Sequence, residues 1–422
     1  MNVMVMGAGG QGAPCASILA RDEDVERIRL CDINETLLAR VKERIHSPKL
    51  EVKRVDAARM DEIVTAAEGM DVIIDLVTPA LFYHVYRAAL AAGVHYVNTA
   101  WEEFLYEGFG DDNDSGVLNL GAKLKHSDAF REKGLTALLG CGMTSGYTTN
   151  VLIRHYADKL DTLESIKIRL AKKDLSVEPD LEILRPWNPG WNPRQALLDF
   201  VVPTYKFEDG RFVRMTELFA EPELWDFPAP VGRTLVAHHA HEEPFSLPQS
   251  FAEKGLMYCD FKYYVNKQLA PIVALGLGEE KKVEIKGAWV SPLEVVLHYV
   301  PQPGDAFLNE DPSQFEYLDR TKQTSIMFEM IGTRGGKKHT YLIHVANPEA
   351  QRRQMYELYG TSLINVALPA VIGAKMAVLG TEKGTVSPQA LDSGKFLELM
   401  KKSGYPCRWQ EIERKGEGGA HS

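Results

Sequence analysis

A short apolar strand that leads into a glycine-rich turn limits the possible folds of this chain more than any other feature. Residues 2–6 are followed by Gly7-Ala8-Gly9-Gly10-Gln11-Gly12 and then by an alanine-rich helix that is predicted to reach residue 20. The first glycine of such a turn permits the tight bend, the second lets the backbone approach a pyrophosphate, and the third lets the helix pack on the sheet. The N–H groups that open the helix attract phosphate. The sequence therefore predicts a dinucleotide-binding βαβ unit.

Asp32 supports this interpretation, because it stands twenty residues after Gly12 at the end of the second predicted strand. A carboxylate there accepts hydrogen bonds from the adenosine ribose and repels the 2′-phosphate of NADP. The residues that follow, Ile33, Asn34 and Glu35, place no arginine directly beside it. The sequence thus favours NAD as the cofactor and leaves NADP possible.

Strands and helices alternate through the first third of the chain. Strands are predicted at residues 2–6, 28–31, 51–55, 72–77, 95–98 and 135–139, and helices at residues 37–45, 60–67 and 81–92. This alternation is typical of the α/β class, with a Rossmann-type, doubly wound parallel sheet. The carboxyl ends of its strands are expected to form the cofactor site. The candidate cofactor-binding residues are Gly7, Gly9, Gly10, Gln11, Gly12, Asp32, Asp56, Ala57, Thr78, Pro79, Asn98 and Thr99.

Two of these positions carry specific expectations. Asp56 and Ala57 follow the third strand and are expected near the adenine, although Asp56 as a plain helix N-cap stays open. Thr78 and Pro79 end the fourth strand, where the ribose or nicotinamide is expected.

The pattern changes after about residue 146, and a chain of 422 residues is long enough for two domains. Strands of a mixed sheet are predicted at residues 166–171, 212–215, 281–286 and 339–345, with a helix at 292–300. Residues 183–194 are rich in Trp, Pro, Asn and Gly, which favours a loop. From residue 351 the chain is predicted to be helical, with Pro369 bending a long helix.

Composition argues against several partners. A net charge of −10 disfavours nucleic acid and anionic membranes. The five cysteines show no CxxC spacing, which is typical of reduced thiols in a cytosolic protein without a zinc site. The N-terminus lacks the basic region of a signal peptide, so a cytoplasmic location is predicted. The apolar residues 361–380 include Asn365, Pro369 and Lys375, which favours a buried helix over a membrane span.

A histidine-rich segment in the second half offers candidate catalytic groups. Residues 237–243 read Ala-His-His-Ala-His-Glu-Glu, which is not the HExxH pattern of a zinc site. We expect no metal, although a metal site and an ordinary polar strand end both stay open beside a role in a substrate pocket. In a strand, His239 and His241 would share one face. Cys141 lies between two glycines and is expected to be a packed residue rather than a nucleophile.

Several motifs together resemble the saccharopine dehydrogenase-like oxidoreductases, and within them the carboxynorspermidine (carboxyspermidine) dehydrogenases. The resemblance extends over nearly the whole chain. It rests on the glycine loop with Asp32, on residues 93–99 (GVHYVNT), 134–140 (GLTALLG), 188–195 (NPxxNPRQ), 227–228 (FP), 241–247 (HEExxSL) and 368–374 (LPAVIGA).

The resemblance implies an architecture. It implies a Rossmann domain of residues 1–146 with returning C-terminal helices in 350–422, and a mixed α/β domain of residues 147–349 for catalysis and dimerisation. A cytoplasmic homodimer is expected.

The resemblance also implies a reaction, in which an amine condenses with an aldehyde or keto acid and NAD(P)H reduces the imine, or the reverse. Carboxynorspermidine dehydrogenases use a diamine and aspartate semialdehyde in polyamine biosynthesis. A histidine suits the proton transfers, because its pKa lies near neutrality. We assign that role to His241, an ammonium-binding role to Glu242 and Glu243, and a carboxylate-binding role to Arg194.

The chain departs from the family pattern at several acidic positions. Asn98 and Asn347 stand where the family has aspartates, and residues 143–146 (MTSG) replace a Phe-Asp-Pro-Gly turn. Carboxylates strengthen the binding of a dication in a closed site, so these changes indicate a different or less charged amine. Two alternatives stay open: a saccharopine- or lysine-type amino-acid dehydrogenase, and a catalytically silent NAD-binding sensor or scaffold.

Overall fold

The computed structural model describes residues 1–100, 124–178, 181–190, 192–301, 303–405 and 408–412. The strands are β1 (Asn2–Met6), β2 (Arg27–Asp32), β3 (Leu50–Arg54), β4 (Val72–Asp75), β5 (His95–Asn98), β6 (Thr136–Leu138), β7 (Thr162–Asp174), β8 (Thr204–Glu208), β9 (Arg211–Met215), β10 (Glu223–Asp226), β11 (Arg233–His238), β12 (Tyr258–Tyr264), β13 (Val283–Ile285), β14 (Ala288–Val290), β15 (Lys322–Arg334), β16 (Lys337–Ala346), β17 (Gly384–Val386) and β18 (Trp409–Glu411).

The helices lie between these strands in the order that the alternation predicts for the first part of the chain. They are α1 (Gly12–Ala20), α2 (Glu35–Ile45), α3 (Met60–Ala66), α4 (Pro79–Ala92), α5 (Ser127–Glu132), α6 (Leu152–Ala157), α7 (Pro193–Leu198), α8 (Glu243–Ser250), α9 (Leu269–Ala274), α10 (Pro292–Tyr299), α11 (Phe315–Thr321), α12 (Arg352–Tyr359), α13 (Ala367–Leu379) and α14 (Ser393–Lys402).

The first sheet is parallel, with seven strands among the described residues in the order β17-β6-β5-β4-β1-β2-β3. Side chains of α1, α2 and α13 bury one face, and those of α3 and α4 bury the other. Strands covered on both faces are mostly apolar, as residues 3–6 of β1 and 72–74 of β4 are. The predicted α/β class with a Rossmann-type sheet is confirmed.

The long apolar segment near the C-terminus forms a helix against this sheet. Pro369 lies in the first turn of α13, where the helix needs no N–H donor, so it does not bend the helix as expected. Gly373 allows close packing, because a Cβ there would lie 2.6 Å from the Cys141 sulfur. None of the helices in the described residues is long and apolar enough to cross a membrane.

The second sheet is mixed, and among the described residues it runs β10-β11-β12-β7-β15-β16-β18, with β8 and β9 attached through β12. Helices α6 and α8 pack on one face of it. Residues 281–286 are predicted as one of its strands. They instead contain β13, which pairs with β14 in a separate hairpin. A tight turn at Gly287 joins β13 to β14. The predicted loop 183–194 ends in α7, which Asn192 caps through its side-chain oxygen.

The C-terminal segment contributes to both sheets. Strand β17 pairs with β6 in the first sheet, whereas β18 pairs with β16 in the second. The division into residues 1–146 with 350–422 and residues 147–349 remains our proposal for the domains.

The chain passes from the first sheet to the second through a glycine-rich turn at residues 140–146. Gly146 has a φ of +126°, and a Cβ there would lie 2.4 Å from the Gly142 carbonyl oxygen. A π-helical turn, Tyr147–Val151, follows and leads into α6. This crossing lies beside the carboxyl end of β5, because the Gly140 N–H donates to Asn98 Oδ1 at 2.8 Å.

Candidate active site

The glycine loop has the shape that a pyrophosphate requires. A Cβ at Gly7 would lie 2.8 Å from the Leu76 carbonyl oxygen, and one at Gly12 would lie 1.7 Å from the Gly7 oxygen. A Cβ at Gly9, in contrast, would meet no atom within 4 Å. The first and third glycines are thus needed for packing, whereas the second faces open space, and Gly10 and Gln11 follow it directly before α1. These residues fit the phosphates of a dinucleotide.

Asp32 lies at the end of β2 with its carboxylate turned toward this loop. One oxygen accepts from the Ala8 N–H at 2.7 Å, and the other accepts from the Asn34 N–H at 2.8 Å. Asn34 in turn caps α2 by accepting from the Leu37 N–H. The local sequence therefore holds the carboxylate next to the phosphate loop, where a ribose of the cofactor is expected.

The neighbouring strand ends place the remaining cofactor candidates along the same edge. Asp56 follows β3 and accepts from the Ala58 N–H at 2.9 Å, so it closes a turn rather than capping α3, which starts after Arg59. Ala57 beside it is buried. Thr78 precedes α4, and Pro79 is the first residue of that helix, where the absent N–H costs nothing.

Asn98 and Thr99 form the part of this edge that faces the second sheet. Asn98 is buried and binds the Gly140 N–H, as described above. Thr99 packs against Gly142, since a Cβ added to Gly142 would lie 3.4 Å from the Cβ of Thr99. Both residues therefore contact the crossing turn 140–146.

His241, Glu242 and Glu243 form a compact cluster at the start of α8. The His241 Nδ1 hydrogen-bonds to Glu243 Oε2, and a Glu242 oxygen lies 3.7 Å from the same nitrogen. The imidazole stacks on the Phe261 ring with 4.0 Å between the ring centroids. His239 and His241 do not share a strand face, because β11 ends at His238. The structure brings together three of the four predicted catalytic residues.

Hydroxyl groups from the turn 140–146 and from the π-helical turn after it orient the carboxyl groups of Glu242 and Glu243. The Thr149 hydroxyl donates to Glu243 Oε1 at 2.8 Å, and the Ser145 hydroxyl donates to Glu242 Oε2. Sequence reasoning missed Thr149, and it noted Ser145 only as part of a departure from the family pattern. The π-helical turn that presents Thr149 leaves no periodic signal in the sequence, although such turns are frequent at functional sites.

The charges of the cluster follow from its burial and contacts. Burial alone would lower the pKa of His241, but the charge and hydrogen bond of Glu243 outweigh it and raise that pKa to about 9. Burial and the repulsion of Glu243 raise the pKa of Glu242 well above its ordinary value. At neutral pH the His241 ring is therefore an imidazolium that is hydrogen-bonded to Glu243, and the Glu242 carboxyl group holds its proton more strongly than an ordinary glutamic acid does.

The three groups also offer donor atoms that all lie within 4.8 Å of one another, a spacing that a metal ion could use. The His241 nitrogen and both carboxyl groups already have partners within the protein. The expectation of no metal stays a prediction.

The cluster lies beside the cofactor edge of the first sheet. A Cβ at Gly140 would lie 3.1 Å from Glu242 Oε1, and the N–H of the same glycine binds Asn98. Glu242, at the start of α8, and Asn98, at the end of β5, thus both approach Gly140. This junction is where the nicotinamide is expected, at the carboxyl ends of the strands.

Arg194, the fourth predicted catalytic residue, lies on α7 and away from this cluster. Its guanidinium binds Glu280 at 2.6 Å and also pairs with Glu294. The residue lines an open cavity of about 510 Å³, whose walls come from the start of α4, from α7 and from α10: Thr78, Asn192, Arg194, Glu294, Leu297 and His298. The other end of α7 reaches the histidine segment, since Asp199 accepts from the Ala240 N–H through its carbonyl oxygen.

His239 is a packed residue rather than a ligand. Its ring lies against Tyr263 and Phe200, and burial holds its pKa well below the usual value. It is therefore neutral and supports the turn that carries His241.

Comparison with known proteins shows a similarity to dehydrogenases, both in the first part of the chain and over most of its length. Residues 3–138 match the family described as saccharopine dehydrogenase NADP binding domain. Carboxyaminopropylagmatine dehydrogenase of Synechocystis sp. is 25% identical over an alignment of 421 residues that covers 97% of each chain. These findings confirm the predicted resemblance to saccharopine dehydrogenase-like enzymes, the dehydrogenase class and the NAD(P) cofactor.

Solved structures support the same fold. Saccharopine dehydrogenase (L-Glu forming) from Saccharomyces cerevisiae superposes with a TM-score of 0.64 at 13% identity, covering 98% of this chain and 100% of the yeast chain. Homospermidine synthase from Legionella pneumophila, solved with NAD, gives a TM-score of 0.59 at 14% identity, covering 100% of this chain and 94% of the other.

Proposed function

We propose that this dehydrogenase, whose residues 3–138 match the saccharopine dehydrogenase NADP binding domain family, condenses an amine with an aldehyde or keto acid and reduces the imine, or runs the reverse. One observation carries the proposal. The buried His241–Glu243 pair and Glu242 lie next to Gly140, whose N–H binds the residue that ends β5. A proton donor is thereby held where the cofactor edge of the first sheet meets the second domain.

His241 is proposed as the acid–base group of the condensation. Its Nδ1 is bound to Glu243, which leaves Nε2 for the substrate. The imidazolium gives its proton to the carbonyl oxygen while the free amine forms the C–N bond. It then recovers a proton from the new ammonium nitrogen and passes it to the hydroxyl group, which leaves as water. The bound dinucleotide supplies the hydride that reduces the resulting imine.

The acidic surroundings favour an amine substrate that carries positive charge. The carboxyl groups of Glu242, Glu243 and Asp199 all raise the pKa of His241, and their oxygens can accept hydrogen bonds from an ammonium group. The name of the Synechocystis relative also describes a carboxylated amine. Polyamine-related substrates are therefore our first choice.

Arg194 is proposed to bind the substrate carboxylate at the cavity between the domains. Its guanidinium is now paired with the exposed carboxylates of Glu280 and Glu294. Exposed pairs contribute little stability, so a substrate carboxylate can replace either partner.

We also propose a cytoplasmic homodimer that associates through residues 147–349.

An absorbance assay that measures the oxidation or formation of reduced nicotinamide tests the proposal. NADH and NADPH are each supplied with aspartate semialdehyde and with diaminopropane, putrescine or agmatine, and the reverse direction uses carboxynorspermidine. Turnover with a diamine or agmatine supports the proposal, whereas turnover only with saccharopine or lysine assigns the chain to the amino-acid dehydrogenases. Tight cofactor binding without turnover on any pair contradicts an enzymatic role and supports a sensor.

The variant His241→Gln identifies the acid. We expect its turnover number to fall about a hundredfold or more, because general acid–base groups contribute about that much. The dissociation constant for NADH should stay unchanged, since the glycine loop lies in the other domain. Full turnover in this variant would remove His241 from the mechanism.

A further inference from the structure

We propose that Arg54 binds the 2′-phosphate of NADPH, so that this chain accepts NADPH although Asp32 ends β2. The inference rests on the dinucleotide cofactor and needs no assumption about the substrate. It concerns the adenosine end of the cofactor edge, away from the His241 cluster.

Strand pairing places Arg54 beside Asp32. Strands β2 and β3 are parallel, and Asp32 and Arg54 are direct neighbours in their register. Register partners in a parallel sheet direct their side chains to the same face. Both residues are also the last of their strands, so the pair lies at the carboxyl edge of the sheet.

Backbone contacts hold the Asp32 carboxylate in place and offset part of its charge. Its two oxygens accept N–H groups from Ala8 and Asn34. A carboxylate that is fixed in this way can still accept a ribose hydroxyl through its remaining lone pairs. Its repulsion of a phosphate is weaker than that of a free carboxylate, and a neighbouring arginine can overcome it.

Arg54 retains hydrogen-bonding capacity for a ligand. Its side chain is 47% exposed, and the nearest carboxylate oxygen, on Glu62, lies 3.8 Å from Nη1, which is longer than a hydrogen bond. Glu62 is held more closely by others, at 3.3 Å by the Arg59 guanidinium and at 2.9 Å by the Asp56 N–H. A planar guanidinium with free N–H groups binds a phosphate through two parallel hydrogen bonds.

The linear sequence conceals this pair, because Asp32 and Arg54 are separated by a helix and a loop. Inspection of the residues beside Asp32 finds no arginine, and only the pairing of β2 with β3 supplies one.

Cofactor binding without substrate tests the inference on the full chain. The dissociation constants of NADPH and NADH are measured by the fluorescence of reduced nicotinamide. Wild-type protein should bind NADPH at least as tightly as NADH. In Arg54→Gln the NADPH constant should rise about tenfold or more, as expected for lost hydrogen bonds between charged groups, while the NADH constant changes less than about twofold.

The matched control is Arg40→Gln, which removes a similarly exposed arginine of α2 that lies 3.8 Å from an Asp305 oxygen. It should change the NADPH and NADH dissociation constants equally.

Competition by 2′,5′-ADP and 5′-AMP provides a second measurement, and Arg54→Gln should weaken the binding of 2′,5′-ADP only. Equal effects of Arg54→Gln on both cofactors, or wild-type protein that strongly prefers NADH, would overturn the inference. Either result would leave the proposed imine chemistry untouched, because no turnover is measured.

Discussion

Among the neighbours that raise the pKa of His241, Glu243 has the largest effect, and its carboxyl group is in turn oriented by the Thr149 hydroxyl. Glu243 is also the first residue of α8, and a negative charge at a helix start is stabilised by the helix dipole. Glu242, one residue earlier, shares the burial but meets the repulsion of Glu243, and this raises its pKa. Two adjacent glutamates thereby have different roles, because Glu243 pairs with the imidazole and Glu242 binds the Ser145 hydroxyl.

This pair predicts the alkaline limb of the pH–rate profile. An acid must be protonated, so activity should fall as pH rises through the His241 pKa of about 9. The variant Glu243→Gln loses the carboxylate that raises the His241 pKa, whereas the burial that lowers this pKa remains. The alkaline limb of the profile should therefore move to lower pH. The profile of kcat against pH measures the shift.

The control for this prediction is Glu253→Gln, which removes an exposed carboxylate just after α8. Its alkaline limb should coincide with that of the wild type. If the limb of Glu243→Gln also coincided with it, the proton donor would have to be a group other than His241.

At the scale of elements, the crossing turn 140–146 joins the two halves of the site. Gly140 leaves room for Glu242, and Gly146 has a φ of +126° that side chains rarely adopt. A β-carbon at Gly146 would overlap the Gly142 carbonyl group. The turn therefore admits only glycine there, and its shape decides where Ser145 and Thr149 meet the glutamates.

The variant Gly146→Ala should destabilise the chain by about 2–4 kcal/mol, since it combines backbone strain with overlap of backbone atoms. The control Gly134→Ala also has a positive φ, of +68°, but its Cβ would meet no atom within 4 Å. Its cost should be only about 1 kcal/mol. Urea unfolding curves measure both, and equal midpoints would contradict the steric account of the turn.

At the scale of the whole molecule, a buried polar network connects the C-terminal segment to the helix that carries Glu243. The Gln389 side chain donates to the Ser246 carbonyl oxygen at 3.0 Å and to the Ser250 hydroxyl at 2.9 Å, and it accepts from Asn150 at 2.9 Å. Gln389 lies just after β17 of the first sheet. It therefore links that sheet to the π-helical turn, which contains Asn150, and to α8.

The variant Gln389→Ala should lower stability by about 1–3 kcal/mol, because it leaves buried polar groups without partners. It should also reduce kcat, because α8 positions Glu243, while the NADH dissociation constant stays the same. The exposed Gln314→Ala serves as the control for both quantities. A loss of NADH affinity as large as the loss of kcat would mean that the network supports the cofactor site instead.

Local patterns in the chain were enough to predict the parallel sheet and the phosphate loop. Glycine spacing, apolar strands and a carboxylate at a strand end are local properties, and a βαβ unit is formed by neighbouring segments. Family motifs extended the prediction to His241, Glu242 and Glu243, because they are adjacent in sequence. The single strand predicted at residues 281–286 became a separate hairpin, since local propensity does not say which strands will pair.

The sequence by itself therefore determined the cofactor fold and named most of the chemical groups. Only the tertiary structure decided their states and partners. Ser145 and Glu242 are 97 residues apart, and Thr149 and Glu243 are 94 apart. Arg54 meets Asp32 only across a strand pair. Protonation and specificity depend on burial and on charges a few ångströms away, and such contacts arise between segments that no local pattern connects.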